Sequence, residues 1–196
     1  MLKLNKKKEV AMKKYYILIA IFICYITNFN VTSFGNDVHT VQINSKTFEL
    51  KYSNCFPKSP ACLNEYYKPK EFNNKWTELF TVVYRTEFRN KDDFTKAIME
   101  ANPLSNLVVK EKNYNIIELY FPYLNDNNVE SVEINVLKIM SVKGGIISMQ
   151  YATRQKFDKN NPDKSHKKFQ KIVNKYTTIL QEMPAMSVYK KPLQKW

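Results

Sequence analysis

The segment that decides the fold runs from residue 64 to residue 88 and reads NEYYKPKEFNNKWTELFTVVYRTEF. Its first half is polar and has no regular period, so we predict an irregular loop over residues 64–75. From Trp76 onward, bulky apolar side chains alternate with mostly polar ones, as is typical of a half-buried β-strand. We predict that this strand is central and that the other elements pack against it. The apolar parity contains Trp76, Phe80, Val82, Tyr84 and Phe88.

The N-terminus has the features of an export signal. Lys13 and Lys14 precede the apolar run YYILIAIFICYIT, and a polar segment with small residues follows up to Gly35. This order is typical of a secretory signal peptide, and Met12 is an alternative start. An uncleaved anchor is the other interpretation, although a bilayer span needs about 20 apolar residues. We predict a signal peptide over residues 1–35 and one periplasmic or secreted domain over residues 36–196.

Export changes how the cysteines are interpreted. Removal of the signal leaves Cys55 and Cys62, and an even number of cysteines in an exported protein indicates a disulfide. A metal pair is the alternative, but the chain has no C-x-x-C motif, and its two histidines, His39 and His166, are isolated. We therefore predict a Cys55–Cys62 disulfide that pins a loop, with no metal site and no cofactor.

The basic charge has two interpretations. Residues 1–35 hold six of the 31 basic residues and one of the 18 acidic ones, which leaves a net charge of about +8 for the rest. Only three of the remaining basic residues are arginine, whose fork is preferred for reading phosphates and bases. We predict a solvated basic surface and no specific nucleic-acid site. Peripheral contact with anionic lipid or cell-wall polymer is the alternative.

The remaining elements follow from periodicity and capping signals. A glycine pair predicts the turn of a hairpin over residues 129–154 that pairs Val142 with Ile147 and Met140 with Met149. Lys167, Lys168, Lys171 and Lys175 lie toward the polar side of the last helix, and we predict that its apolar side packs on the sheet rather than in a membrane. The predicted strands are 40–43, 47–52, 107–110, 114–121 and the two arms of that hairpin, and the predicted helices begin after Asn90 and at Ser165 and end at Asn102 and Met183.

This order of elements predicts an α+β fold, a mainly antiparallel sheet covered by two amphipathic helices. Residues that could form a catalytic set do not converge in the sequence. Glu78 and Glu87 have different parities, so they are expected on opposite faces of the central strand. The chain lacks G-x-S-x-G and phosphate-binding glycine loops. We predict no catalytic residues, and only the fold could bring Tyr84, Arg85, Glu87 and Tyr114 into one pocket.

Two resemblances follow from these residues. Asn64-Glu65-Tyr66-Tyr67, then Pro69, Glu71 and Trp76-Thr77-Glu78-Leu79, resemble a segment of uncharacterised exported bacterial proteins. The order of elements is similar to the Mog1/PsbP-like α/β/α sandwich, which implies a fold and no particular function.

We expect a non-enzymatic exported protein that binds a protein or cell-envelope partner, such as an accessory or immunity-type factor. Good core patterning without a convergent catalytic set supports this expectation. Two other classes stay open. One is a carrier of a small ligand or lipid in a cavity between sheet and helix, and the other is a secreted effector enzyme with an unrecognised site.

Overall fold

The computed structural model describes residues 40–55, 61–71, 76–125 and 128–183. The predicted signal peptide, His39 and the C-terminal tail lie outside these residues. All of the described residues belong to one compact unit, Val38–Trp196.

The described residues form one eight-stranded antiparallel sheet and two helices. The spatial order of the strands is β1-β2-β3-β4-β8-β7-β6-β5. The elements are β1 (Thr40–Ile43), β2 (Lys46–Cys55), β3 (Ala61–Tyr67), β4 (Glu78–Arg85), α1 (Lys91–Ala101), β5 (Ser105–Lys110), β6 (Tyr114–Asn125), β7 (Asn128–Val142), β8 (Gly145–Lys156) and α2 (Pro162–Glu182).

The predicted α+β class with a helix-covered sheet is wrong, and so is the α/β/α sandwich of the Mog1/PsbP-like kind. The described structure is 56% strand and 24% helix, and it is therefore mainly β. Eight strands extend over about 34 Å at about 4.8 Å per strand, whereas a helix is only about 10 Å wide. Two helices cannot cover such a sheet, and they pack chiefly on β6 and β7.

The helices lie on opposite faces of the sheet, which we call the α1 face and the α2 face. The α2 face carries the larger apolar core, in which Phe169, Val173 and Leu180 of α2 meet the sheet. On the α1 face, Phe94 of α1 packs on Ile117, Leu119 and neighbouring residues of β6, β7 and β8. The largest fully buried side chains on the α2 face of the sheet are Tyr151, Phe48, Phe80, Ile116, Ile134 and Met149.

The central position of β4 is confirmed, because β4 pairs with both β3 and β8. Phe80 and Val82 belong to the core of the α2 face, as their parity predicts. Trp76 and Phe88 lie outside the strand and pack with the opposite face, Trp76 against Leu79 and Phe88 in the α1 cluster. The predicted parity therefore applies within β4 and fails at both ends, where the chain leaves the sheet.

The predicted loop over residues 64–75 is wrong in its first part, because Ala61–Tyr67 is the strand β3. Its polar side chains are buried with partners. Ser53 Oγ donates to Asn64 Oδ1 at 2.7 Å, and the Tyr67 hydroxyl donates to Glu65 Oε2 at 2.7 Å. Buried polar groups are tolerated where they are hydrogen-bonded, so a polar sequence here still forms an inner strand.

The β7–β8 hairpin exists, but its predicted register is wrong by two residues. Val142 pairs with Gly145 and not with Ile147, and Met140 pairs with Ile147 and not with Met149. Because side chains alternate with a period of two, a shift of two leaves every side chain on its predicted face.

The reason for this shift lies in the two glycines. Gly144 has a φ of +94° and forms the turn with Lys143, whereas Gly145 is already the first residue of β8. A Cβ atom on Gly145 would lie 2.1 Å from the Arg85 carbonyl oxygen. The first glycine therefore serves the turn, and the second allows close approach of β4.

Both helices carry the N-terminal caps that start such elements. Asn90 Oδ1 accepts the Asp92 N–H at 2.8 Å, which confirms the predicted cap of α1. The last helix begins three residues before the predicted Ser165, because Asn161 Oδ1 accepts the Lys164 N–H at 3.1 Å and Pro162 occupies the first turn. Proline suits that position since its missing N–H would have no partner there.

Candidate functional site

Five lysines cover the solvent side of α2, and we call this surface the lysine face. At about 100° per residue they fall within an arc of about 100°, opposite the buried Phe169, Val173 and Leu180. The distance along the helix from the first lysine to the last is about 16 Å. All five are exposed. They are Lys164, Lys167, Lys168, Lys171 and Lys175.

The charge of the lysine face is not neutralised by the described part of the chain. The helix contains two acids, Asp163 in its first turn and Glu182 at its end. Ion pairs of described residues involve lysines of the sheet and of α1, and no lysine of this face. The five lysines are therefore exposed together without an acidic partner among the described residues, and Lys175 Nζ also lies 5.5 Å from the centroid of the Tyr176 ring.

Helix stability does not account for where these lysines lie. Cations stabilise a helix near its C-terminus and oppose its dipole near the N-terminus. Lys164, Lys167 and Lys168 lie in the first two turns of α2, and the last turn contains no basic residue. The arrangement is the reverse of what the dipole favours, which points to a role outside the fold.

The side of α2 that faces the sheet is held rigidly. The rings of Tyr151 in β8 and Tyr176 in α2 are stacked with centroids 3.4 Å apart, and the Tyr151 hydroxyl donates to the Tyr176 hydroxyl at 2.6 Å. Burial, with a further contribution from Tyr176, raises the pKa of Tyr151 above the ordinary range of tyrosine. The Tyr151 hydroxyl therefore keeps its proton and its hydrogen bond at physiological pH.

Lys138 of β7 holds the C-terminal end of the same helix. Its Nζ donates to the carbonyl oxygens of Gln181, at 3.1 Å, and Met183, at 2.7 Å. It also lies 4.7 Å from the centroid of the Tyr114 ring. Burial lowers the pKa of Lys138. With α2 attached to the sheet through Tyr176 and through its C-terminal end, the lysine face has a fixed orientation.

An open cavity of ≈ 450 Å³ lies beside Lys138, between the sheet and the end of α2. Tyr114 and Met140 contribute to its wall from the sheet, and Glu182 contributes from the helix. A second open cavity, of ≈ 400 Å³, lies between α1 and β5. Both are open to solvent, and the packing of Tyr176 and Leu180 fills the middle of the interface between α2 and the sheet.

The predicted cysteine pair is brought together. Cys55 ends β2 and lies opposite Cys62 of β3, and the two sulfur atoms form a bond of 2.15 Å. The disulfide links the end of β2 to the beginning of β3, and residues 56–60 between the two strands lie outside the described structure. Such a pair is compatible with an oxidising compartment.

The four residues that only the fold could assemble do not form one pocket. Arg85 Nη1 and Glu87 Oε1 are 2.7 Å apart, and Arg85 also lies 5.6 Å from the centroid of the Phe94 ring on the α1 face. Tyr84 and Tyr114 belong to the opposite face, packed against its core. Of the predicted histidines, His166 is exposed on α2 and meets the rings of neighbouring aromatic residues.

The segment that resembles exported bacterial proteins, residues 64–79, has internal partners. Glu71 accepts the Thr77 N–H at 2.8 Å and the Thr77 hydroxyl at 2.7 Å, which locks the connection from β3 to β4. Glu78 forms an ion pair with Lys46 of β2 at 2.6 Å. These polar residues therefore support the fold rather than a binding site.

A second arginine forms a stacked cluster at one end of the α1 face. The guanidinium of Arg154 lies 4.0 Å from the centroid of the Trp76 ring and 5.2 Å from that of Tyr123. The Tyr123 hydroxyl donates to Glu133 Oε2 at 2.6 Å, and burial together with Glu133 raises the pKa of Tyr123 to about 12. Each polar group meets another member of the cluster, so the cluster ties β6, β7 and β8 together.

The described residues contain no group of three or more histidine, cysteine, aspartate and glutamate side chains that could hold a metal ion. Neither α1 nor α2 combines the length and apolar character needed to cross a bilayer.

The fold and site define a mainly β protein with one antiparallel sheet, a cystine-linked strand pair and a basic helix on one face. Residues 38–185 match the model of a protein family, and the chain belongs to that family, which is uncharacterised. No curated protein and no solved structure matches the chain.

Four of the five lysines, namely Lys167, Lys168, Lys171 and Lys175, were predicted on the polar side of the last helix without a role. Lys164 was missed because the helix was predicted to begin at Ser165. The spacing of Lys164, Lys168, Lys171 and Lys175, at i, i+4, i+7 and i+11, was the signal for a single charged stripe. Whether neighbouring acids neutralise such a stripe depends on the fold, and only the structure supplies that information.

Proposed function

We propose that this protein is a non-enzymatic exported protein that binds an anionic partner of the cell envelope through the lysine face of α2. The observation that carries the proposal is the presence of five exposed lysines in one arc with no acidic partner among the described residues. A field of one sign on a rigid surface attracts oppositely charged partners over about a Debye length.

The chemistry of the face favours a repeating anion over a single small ligand. Lysine is a compact charge on a flexible stem, whereas bidentate recognition of one phosphate uses arginine, and α2 has no arginine. The face is convex, since it is the outer side of a helix. Anionic lipid headgroups and anionic wall polymers both present charges repeated along a surface, which this face can meet at several points.

The apolar side of α2 argues for peripheral binding. Phe169, Val173 and Leu180 are buried against the sheet and are not available to enter a bilayer. Binding therefore relies on charge, at about 1 kcal/mol for each lysine near an anionic surface, and it weakens with salt.

Export is supported by the paired cysteines, which suit an oxidising compartment. The residues that the fold could have brought into one pocket do not form an acid–base pair, which supports a binding role over catalysis. Arg85 and Glu87 pair with each other, and Lys138 serves the end of α2.

The test compares two variants that lose the same charge. One replaces Lys164, Lys168, Lys171 and Lys175 by glutamine. The matched control replaces four exposed lysines outside α2, which are Lys51, Lys96, Lys143 and Lys156. Binding of residues 38–196 to vesicles of phosphatidylcholine with and without phosphatidylglycerol is measured by co-sedimentation, and long-chain polyphosphate replaces the vesicles in a second arm.

The α2 variant is expected to lose on the order of 10²- to 10³-fold in affinity, since four lysines contribute about 4 kcal/mol. The control should lose about tenfold or less. Preference for vesicles identifies a lipid surface, and preference for polyphosphate identifies a wall polymer. Equal losses in both variants, or no binding to either anion, would contradict the proposal.

The cavity beside Lys138 supports a second candidate, a carrier of a small ligand. Its volume of ≈ 450 Å³ and its mixed lining are within the range of small-molecule sites. Native mass spectrometry of the exported protein tests this function. A bound small molecule that Met140→Trp displaces would favour the carrier function. A measured mass equal to that of the polypeptide alone would contradict it.

A further inference from the structure

The outer edge of β5 is the most apolar exposed part of the described structure. This strand pairs with β6 on one side, and no strand of the described residues lies on its other side. Five large apolar side chains of the described residues are exposed, and three of them lie at this edge. They are Leu104 at 48%, Leu107 at 42% and Val108 at 37% exposure.

The opposite edge of the sheet is different. The edge strand β1 has only four residues, and its exposed side chains are the polar Thr40 and Gln42. Short polar edges are protected against pairing with another chain, whereas an apolar edge without proline is a template for it. The strand β5 has six residues and contains no proline.

A bulge in β5 selects one way of pairing this strand with itself. Leu107 pairs with Ile117 on the α1 face, and Val109 pairs with Ile116 on the α2 face, with the extra residue Val108 between them. In an antiparallel pair, opposite residues must share a face. When a regular strand pairs with a second copy of itself, each residue must therefore lie opposite a residue of the same parity. The two-fold axis then passes between one residue and the same residue of the second copy.

The bulge moves that axis to the point between Leu107 and Val108. Ser105 and Lys110 are both on the α1 face, and Asn106 and Val109 are both on the α2 face, as their partners in β6 show. When Leu107 lies opposite Val108 of a second copy, Ser105 is opposite Lys110 and Asn106 is opposite Val109. Each of these two pairs then shares a face of the sheet. Lys110 then lies opposite Ser105 and never opposite another lysine.

The charges beside β5 fit the same arrangement. Lys110 lies at the Asp92 end of α1, and Glu100 lies at the other end, five residues before Ser105. The helix and β5 border one open cleft that also contains Lys96. A two-fold axis between Leu107 and Val108 brings Lys110 of each copy to the Glu100 end of the other, so opposite charges meet twice.

We propose that β5 pairs antiparallel with β5 of a second copy of this chain, which joins two sheets into one of sixteen strands. The axis that relates neighbouring antiparallel strands is perpendicular to the sheet. Both copies therefore present their α2 faces on the same side, and the two lysine faces point in one direction. This last consequence rests on the proposed function, whereas the pairing itself does not.

A pair of six-residue strands with a few apolar contacts is a small interface, below the roughly 1,200 Å² of stable complexes. The dimer is accordingly concentration-dependent in solution. On an anionic surface, two lysine faces held in one orientation bind as a bivalent unit, and the second attachment is intramolecular.

Sedimentation equilibrium of residues 38–196 over a concentration series, without vesicles, tests the pairing. The double variant Leu107→Lys with Val108→Lys places four lysines at the two-fold axis and is expected to weaken the dimer at least tenfold. The matched control, Leu124→Lys with Asn125→Lys, adds the same charge at an exposed site away from this edge. It should dimerise as the unchanged chain does.

A charge exchange tests the register. Glu100→Lys and Lys110→Glu should each weaken the dimer, and the double variant should restore it, because the paired register places Lys110 of one copy beside Glu100 of the other. A monomer at every concentration overturns the proposal, and so does a dimer that survives the two lysines at Leu107 and Val108. Failure of the double exchange to rescue overturns the register. None of these results depends on anion binding, which the α2 variants measure separately.

Discussion

Along β8, the two faces of the sheet differ in what they bury. Ile147, Met149 and Tyr151 point to the α2 face and are almost fully apolar in their contacts. Ser148 and Gln150, which alternate with them, point to the α1 face and are polar. A 21-residue helix packs on the first face with apolar contacts, while the second relies in part on hydrogen bonds between side chains. We therefore expect the α2 face, which also carries the lysine face, to contribute more to stability than the α1 face.

The largest effect is expected from truncating the apolar face. Leu180 of α2 is 1% exposed, and Leu180→Ala should reduce the free energy of unfolding by about 2–5 kcal/mol, because it removes buried contacts and leaves a cavity. Urea unfolding measures this loss. Truncation of Ile98, which is only partly buried on the α1 face, is the control and should cost clearly less. Equal losses at both sites would remove the contrast between the faces.

A smaller effect is expected from the polar network of the α1 face. Gln150 Nε2 donates to Asn135 Oδ1 at 2.5 Å, and Asn135 Nδ2 donates to Glu133 Oε1 at 3.2 Å. Asn135 is fully buried. Asn135→Ala should cost about 1–3 kcal/mol, because it leaves the Gln150 amide without its acceptor.

Replacement of both partners of that hydrogen bond sharpens the comparison. Apolar groups of similar shape can replace a buried polar pair at little net cost. The double variant Asn135→Leu with Gln150→Met should therefore recover most of the stability that Asn135→Ala loses, as measured by urea unfolding. A double variant less stable than the single one would show that the network is required as such.

Alkaline pH should affect both faces through their buried tyrosines. Burial raises the pKa of Tyr151 on the α2 face, and burial with Glu65 raises that of Tyr67 on the α1 face. Above pH of about 10 the unfolded chain loses these protons while the folded one keeps them. Stability contributed by these groups is thus fully present below pH of about 10 and is lost as the pH rises.

The slope of this loss is at most about 1.4 kcal/mol per pH unit for each tyrosine. Tyr151→Phe and Tyr67→Phe should each make the decline less steep, and urea unfolding at several pH values between about 9 and about 11 measures it. Tyr52→Phe is the control, because Tyr52 is only partly buried. A decline that neither buried variant changes would assign the alkaline effect to other groups.

Local patterns predicted most of the elements, and tertiary contacts decided the rest. The caps at Asn90, the stripe of α2 and the strand character of β4 depend on neighbouring residues, so the sequence contained them. The strand β3 was missed because Asn64 and Glu65 are polar, and their partners lie on β2 and on β3 itself. The register of β7–β8 depended on the approach of the Arg85 carbonyl to Gly145, which no local pattern encodes.

The candidate site divides in the same way. The spacing of the lysines in α2 was readable from the chain, and so was the pairing of Cys55 with Cys62. Whether acidic side chains lie near the lysines of α2 depends on the tertiary structure, as the ion pair between Lys46 of β2 and Glu78 of β4 illustrates. The predicted coverage of the sheet by helices failed because a helix is only about 10 Å wide and the sheet extends over about 34 Å, to which the missed strand β3 contributes between β2 and β4.

The smallest effect on stability is expected on the lysine face itself, where binding and folding should separate. Lys164 lies in the first turn of α2, where a cation opposes the helix dipole, whereas Lys171 lies in the middle of the helix. Lys164→Gln should raise the free energy of unfolding by about 0.3–1 kcal/mol, and Lys171→Gln should leave it almost unchanged. Each substitution should nevertheless weaken binding to anionic vesicles by a similar amount, about 1 kcal/mol. Paired measurements of unfolding and co-sedimentation test this, with Lys96→Gln on α1 as the control that should alter neither. If Lys164→Gln destabilised the helix, the lysines would be part of the fold, and their position against the dipole would no longer argue for a partner.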